Sequence, residues 1–186
     1  MLRQAGADGR SLADFVAPRD YGFDSPAGMF AISVTETANS RSAMTHPASC
    51  TCPACTSMDY DSLLERSLRL ALAEAASGWL DAELEKQLPK GSPVKIVKPA
   101  AGYASCPDHS LKRDILALLP GAEALDIRLT ESCAMIPDAS ICGLVFAHPA
   151  ASYPEIRRLS PAAVDAYAAL RGFTPEEARL FLGSLL

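Results

Sequence analysis

The sequence predicts an α+β fold, in which an antiparallel or mixed, twisted sheet packs against helices. One long segment with helical periodicity dominates the first half of the chain. Short apolar segments typical of strands follow, without the helical crossovers that a parallel sheet requires. Two capped helices end the chain, and its 186 residues suit one domain, so we expect a single domain over residues 1–186.

The first predicted elements are short. Residues 1–25 are punctuated by glycine, aspartate and proline, which predicts an irregular segment over the surface. The apolar run Gly28–Thr35 is bounded by turn residues and predicts a strand. The polar segment 38–57 contains prolines and cysteines, and we expect an irregular loop there.

The longest predicted element is a helix from Asp59 to Leu88. Its apolar residues recur in steps of three and four, which places them on one stripe that we expect to face the core: Leu64, Leu68, Leu72, Ala75, Trp79 and Leu80. The segment LPKGSP ends the helix, and Val94–Val97 is a predicted short strand.

A second helix is predicted after Asp108, which is well placed as its N-cap, and Pro120–Gly121 ends it. The segments LDIRLTESCAM and SICGLVFAH then predict two strands joined by the turn IPDA. We expect an antiparallel hairpin, in which Gly143 allows a bulge or a close approach of another backbone.

Two helices are predicted at the C-terminal end. Ser160–Pro161 begins the first, with proline at the first helical position. Thr174 and Glu177 form the capping box of the second.

Composition restricts the possible partners. The net charge of −5 argues against nucleic acid, which a basic face would bind. No apolar run approaches the roughly 18 residues that span a bilayer, so we expect no membrane partner. The N-terminal residues lack the apolar core of a secretory signal, and cytoplasmic residence is the expectation.

Six cysteines are present, and three form a C-x-C-x2-C cluster at Cys50, Cys52 and Cys55. With His46 as a fourth ligand, the cluster has the residue types of a tetrahedral metal site. The alternative is an ordinary cysteine-rich loop, and the spacing alone leaves both interpretations open.

The stretch AGYASCPDHSLKRDIL, residues 101–116, concentrates further chemistry. Cys106 and His109 have the types of a nucleophile and base pair near a helix N-terminus, but no third orienting group accompanies them. Gly102 allows close approach of backbone to a ligand. Glu131 lies among apolar residues of a predicted strand, where a buried carboxylate would need a partner.

Five collinear stretches resemble the activation domain of cobalamin-dependent methionine synthase. They are SLADFVAP with GMFAISVT, the helix from Asp59, KPAAGYASCPDHSLKRDIL, LTESCAMIPDASICGLVFAHPAASY and the terminal AVDAYAALRGFTPEEARLFL. The resemblance covers most of the chain from about Ser11 onward.

The resemblance implies a groove that binds S-adenosylmethionine. Lys98 stands where the family has the arginine that holds the ligand carboxylate. The other implied ligand-binding residues are Ala100, Gly102, Tyr103, Tyr153 and Pro154. Lysine keeps the charge of arginine but lacks its two-pronged fork.

The resemblance also implies a face directed at the corrin ring of a partner, and no catalytic side chain. Its residues are His109, Glu131, Ala134, Met135, Ile136 and Pro137, with Ile136 replacing an aromatic residue of the family. The implied function is that of a stand-alone subunit supporting reductive methylation of cob(II)alamin in trans. The implied partners are the cobalamin-binding module of methionine synthase, or another corrinoid protein, and a flavodoxin-type reductant. The alternative is a docking or chaperone protein that has lost S-adenosylmethionine binding.

Overall fold

The computed structural model of the chain describes residues 1–3, 9, 11–22, 25–35, 60–182 and 185. A three-stranded antiparallel sheet in the order β1–β5–β2 forms its centre. Its strands are β1 (Ala27–Ser33), β2 (Lys95–Val97) and β5 (Ser140–His148). Together with the helices around it, this sheet confirms the predicted α+β class.

Helices cover both faces of the sheet. On one face, α1 (Tyr60–Lys86) lies over the side that presents Phe30, whose ring is 5.2 Å from the Lys98 ammonium. On the other face, Ile115 of α2 (Leu111–Leu118) packs against Cys142 and its neighbours. The sheet is therefore the middle of three layers, because alternate residues of a strand point to opposite faces.

The apolar stripe of α1 does not face the core, so this expectation is wrong. Leu64, Leu68, Leu72 and Trp79 are 44–65% exposed. The helix instead packs through its narrow opposite side, where Ala73 is buried. A short side chain there lets the helix backbone approach the sheet closely, which the four large side chains would prevent.

The predicted hairpin is also wrong. The first half of the predicted hairpin forms a separate two-stranded sheet of its own, in which β3 (Arg128–Leu129) pairs with β4 (Met135–Ile136). Its turn falls inside the segment predicted as one strand, because Cys133 has a φ of +60° and the Ala134 N–H donates to Thr130 Oγ1. β5 is free to become the central strand, with β1 and β2 as its neighbours.

Residues 1–25 were predicted to lie over the surface, but Leu12 and Phe15 among them are part of the core. Leu12 and Phe15 belong to a short 3-10 helix, Leu12–Phe15, and pack with Phe146 of β5. Ser11 caps this helix by accepting the Ala13 N–H. The capped turn directs both apolar side chains inward.

The two terminal helices are α3 (Pro161–Arg171) and α4 (Pro175–Leu182), which confirms both predicted starts. The capping box is present, since Glu177 N–H donates to Thr174 Oγ1 and Thr174 N–H donates to Glu177 Oε2. None of the described helices combines the length and apolar character needed to cross a bilayer.

Candidate functional site

A groove of about 520 Å³ lies between α1 and the loop that follows β2. Its volume falls within the range of small-molecule sites. Its apolar lining comes from short side chains of three segments, and two tyrosines stand at its edge. The lining residues are Leu70, Ala73, Glu74, Ser77, Lys98, Pro99, Ala100, Tyr103, Ala104, Ser105, Asp138, Ala139, Ser140, Ile141 and Tyr153.

Four of the six predicted ligand-binding residues line this one groove. They are Lys98, Ala100, Tyr103 and Tyr153, which the sequence separates by up to 55 positions. Gly102 and Pro154 do not line it. The role of all six in ligand binding stays a prediction.

Lys98 is buried, with its side chain only 3% exposed. Its ammonium donates to the carbonyl oxygen and to Oγ of Ser77, each at 2.6 Å, and lies 3.0 Å from Asp81 Oδ1. An ammonium has three donors, so all of them have acceptors on α1. A ligand carboxylate would therefore have to replace one of these acceptors.

The two tyrosines of the groove present their rings to solvent. Tyr103 is 65% exposed and Tyr153 is 56% exposed. The Tyr153 hydroxyl accepts the backbone N–H of Lys98 at 2.9 Å, which fixes the ring beside the groove. Exposed, anchored aromatic rings are suited to stacking on a planar ligand.

Gly102 makes room for a histidine. Its φ is +94°, and a Cβ on it would stand 2.5 Å from the imidazole Cε1 of His109. Only glycine fits both the left-handed backbone and this contact. Gly102 lies in sequence between the groove residues Ala100 and Tyr103, so His109 contacts the segment that forms this wall of the groove.

His109 belongs to a hydrogen-bonded chain that sequence reasoning missed. Buried Lys112 donates to His109 Nδ1 at 2.9 Å and to the Cys133 carbonyl at 3.0 Å. Burial lowers the pKa of Lys112. Burial, followed by the charge of Lys112, also lowers the pKa of His109. Since Nδ1 accepts, the proton of the neutral ring is on Nε2. The spacing of Lys112 three residues after His109 on a helical turn was the available signal.

The predicted corrin-facing segment runs from an exposed turn to the groove edge. Glu131 and Ala134 are exposed, and Ile136 is 44% exposed. Met135 packs instead against the core cluster containing Ile115, and Pro137 is half-buried. The expectation that Glu131 lies within a strand is wrong, because it occupies the turn between β3 and β4.

Asp108 was predicted to be the N-cap of α2, and this prediction is wrong. Ser110 occupies that position, and Asp108 is 1% exposed. The Asp108 carboxylate accepts the Ser110 N–H and the Tyr167 hydroxyl, each at 2.8 Å. Asp108 thus joins α2 to α3, because its side chain points inward.

Cys106 does not have the environment of a nucleophile. It is 3% exposed, and burial raises the pKa of its thiol to about 12. A reactive cysteine needs the opposite shift. The other candidate sulfur ligands, Cys50, Cys52 and Cys55, lie with His46 outside the described residues.

Sequence reasoning also missed the polar side of α1. Glu74, Ser77 and Asp81 recur in steps of three and four, and Glu74 and Ser77 line the groove while Asp81 pairs with Lys98. Their periodicity was available as a signal.

Comparison with known proteins identifies related sequences and folds. Residues 1–172 match the family described as "Vitamin B12 dependent methionine synthase, activation domain". A solved structure of the MetH reactivation domain bound to AdoHcy aligns with a TM-score of 0.61 and 28% sequence identity. The alignment covers 69% of this chain and 43% of that one, so this chain spans less than half the length of that protein.

Proposed function

Because the chain belongs to the family of vitamin B12-dependent methionine synthase activation domains, we propose that it binds S-adenosylmethionine and reactivates a corrinoid protein in trans. The observation that carries this proposal is the convergence of Lys98, Ala100, Tyr103 and Tyr153 on one groove. A similar fold has been solved with AdoHcy, which shares the adenosyl and amino acid parts of S-adenosylmethionine.

The charged residues of the groove suit a ligand that carries both positive and negative charges. S-adenosylmethionine has a carboxylate, an ammonium and a sulfonium. Lys98 is the cation available to the carboxylate, whereas Glu74 and Asp138 are anions on the walls. Asp138 already pairs with Arg66 at 2.6 Å, so Glu74 is the carboxylate that we assign to a positive group of the ligand.

The apolar and aromatic lining suits the adenosyl part. Ala73, Ala100 and Ala139 leave room at the floor, and Tyr103 and Tyr153 offer ring faces at the rim. Stacking of a nucleobase such as adenine on an aromatic side chain is worth about 1–3 kcal/mol.

When bound, S-adenosylmethionine supplies the methyl group that the cobalt of a partner corrinoid accepts after one-electron reduction by a flavodoxin-type donor. The contribution of this chain is binding and orientation. No side chain has to remove a proton, because the transferred group is methyl and the leaving group is a neutral thioether.

The surface beside the groove is the proposed docking site for the cobalamin-binding module. His109 lies behind Gly102, and the segment from Glu131 to Pro137 leads into Asp138 of the groove wall. The neutral His109 ring has its Nε2–H as a donor, and Ile136 offers an exposed apolar contact. Docking here would bring a corrin next to the methyl group.

Isothermal titration tests ligand binding directly. We expect heat and a single site when S-adenosylmethionine or S-adenosylhomocysteine is titrated into the protein, and loss of that heat in Lys98→Met. Methyl transfer is then measured by adding the protein, S-adenosylmethionine and a reductant to a methionine synthase that lacks this domain. No heat at millimolar ligand would overturn the proposal.

One observation favours the alternative of a docking protein without a ligand. All three donors of Lys98 have acceptors within the chain. If that arrangement is permanent, the groove is closed to a carboxylate and only the docking surface functions. Binding of a corrinoid protein without any heat from S-adenosylmethionine would identify this case.

A further inference from the structure

The outward face of α1 is an uninterrupted apolar surface. We define this face as Leu64, Leu68, Ala71, Leu72, Ala75, Gly78, Trp79 and Ala82. At about 100° per residue these positions lie within an arc of roughly 120°. The charged residues from Glu65 to Glu85 all fall outside the arc, and the two that fall inside it, Asp61 and Lys86, are at the two ends of the helix. A helix face of this kind normally packs against another element.

The exposed area is large for a surface that stays in water. Leu68, Leu72 and Trp79 are 56%, 58% and 65% exposed, and Tyr60 at the N-terminal end is 76% exposed. With about 150–250 Å² for each fully exposed aromatic side chain and somewhat less for leucine, the face and its margins offer roughly 700–800 Å². This exceeds the ~300–600 Å² of the largest apolar patch on a typical monomer and approaches the ~800 Å² that one partner buries in a stable interface.

We propose that two copies of this protein form a dimer by packing their outward faces of α1 antiparallel, about a two-fold axis that crosses the outward face halfway between the levels of Leu72 and Ala75. The face is self-complementary in this direction only. Its N-terminal half has leucines, and its C-terminal half has small residues around Trp79. An antiparallel pair places Leu68 of one copy opposite Trp79 of the other, and Leu72 opposite Ala75. A parallel pair would oppose leucine to leucine and alanine to alanine, which leaves voids.

The charges beside the face do not oppose this pairing. Glu65 and Glu83 of the two copies approach each other in the antiparallel register. Each is already paired within its own helix, Glu65 with Arg69 at 3.1 Å and Glu83 with Lys86 at 2.6 Å. The repulsion between the two carboxylates is therefore reduced by neighbouring cations.

The dimer leaves the groove open. The groove is lined from α1 by residues such as Ala73 and Ser77, which lie on the side of the helix opposite the outward face. Both grooves and both segments around His109 therefore remain accessible in the dimer. Formation of the dimer requires no ligand in the groove.

Sedimentation equilibrium of the full chain over a range of concentrations measures the assembly. The chain mass is 19.7 kDa, so we expect a species of 2 × 19.7 = 39.4 kDa. Leu68→Glu and Leu72→Glu, at exposed positions where no buried contact is lost, are expected to give 19.7 kDa with an unchanged circular dichroism spectrum. Leu170→Glu is the matched control, since Leu170 is 76% exposed on α3, and it is expected to keep the dimer.

The register is tested by exchange of the two opposed side chains. The single variant Trp79→Ala is expected to weaken dimerisation. The double variant Leu68→Trp/Trp79→Leu keeps one leucine opposite one tryptophan, so we expect it to dimerise as strongly as the wild type. Trp79 is the only tryptophan, so its emission is expected to shift to shorter wavelength as the dimer forms. A wild-type chain that is monomeric at all concentrations overturns the proposal. A monomer whose Trp79 emission is already that of a buried indole identifies another part of the same chain as the occupant. Association that Leu68→Glu and Leu170→Glu weaken equally also overturns it.

Discussion

The ammonium of Lys98 lies 3.0 Å from Asp81 Oδ1, across the gap between the loop after β2 and helix α1. The two ends of this pair differ in environment, because the Lys98 side chain is 3% exposed and that of Asp81 is 53% exposed. Ser77 supplies the two other acceptors from the same helix. Asp81 is thus the acceptor that a ligand carboxylate would most readily replace.

We expect Asp81→Asn to increase the affinity for S-adenosylmethionine. An ion pair with a half-exposed partner is worth about 0.2–1 kcal/mol, so removing the competing carboxylate should tighten binding by about 1.4- to five-fold. Titration calorimetry measures the change. Glu85→Gln is the control for net charge, because Glu85 lies on the same helix but forms no described contact with Lys98. Equal tightening in both variants, or weaker binding in Asp81→Asn, would contradict the competition.

Tyr153 combines a ring and a hydroxyl whose contributions can be separated. Tyr153→Ala removes the ring from the groove and is expected to weaken ligand binding about ten-fold, the order of one stacking contact. Tyr153→Phe keeps the ring and removes only the hydroxyl that accepts the Lys98 N–H, so affinity should change by less than about three-fold. If both variants lose affinity equally, the hydroxyl and not the ring supports the site.

Four of the six residues predicted from the sequence to bind a ligand line one groove, whereas the packing around the groove was predicted less well. The motif that contains Lys98, Ala100 and Tyr103 is local, and Tyr153 follows a second local motif, so a family resemblance could identify all four. Periodicity, by contrast, shows which residues share a side of a helix but not what lies opposite. α1 packs through Ala73 because a short side chain allows close approach, and its leucine stripe was therefore assigned to the wrong side.

The same limit explains the errors at Asp108 and in the predicted hairpin. The sequence around Asp108 is compatible with two roles for its carboxylate, as the N-cap of α2 or as a buried hydrogen-bond acceptor. Only the position of Tyr167, 59 residues later, determines which of the two occurs. Similarly, the apolar strand β5 has no local feature that selects its neighbours, and β1 lies more than 100 residues earlier in the chain.

Gly143 provides a stability test of the sheet. Its pairing with Phe30 and its contact with the loop after β2 leave no space, since a Cβ would overlap the Pro99 carbonyl oxygen and stand 2.8 Å from the Ala100 Cα. We expect Gly143→Ala to lower the free energy of unfolding by about 3 kcal/mol, because backbone atoms would have to move. Gly28→Ala is the matched control in the same strand pair. Its Cβ would meet only the Val145 side chain, at 3.3 Å, and we expect a loss below about 1 kcal/mol. Denaturant unfolding of both variants measures the difference, and equal losses would contradict the close approach.

His109 makes stability depend on pH. Burial and then the charge of Lys112 lower the pKa of His109, so the folded protein favours the neutral ring. Above the unfolded pKa of about 6.5 the ring is neutral in both states and contributes no pH dependence. As the pH falls through this value toward the lower folded pKa, the unfolded chain binds the proton more readily, and stability decreases. We expect the free energy of unfolding of wild type to decrease more than that of His109→Asn between pH 7.5 and pH 5.

Lys112→Met, which removes the neighbouring charge, should raise the His109 pKa toward its usual value in an NMR titration. An unchanged His109 pKa in Lys112→Met would leave burial as the sole cause of the shift.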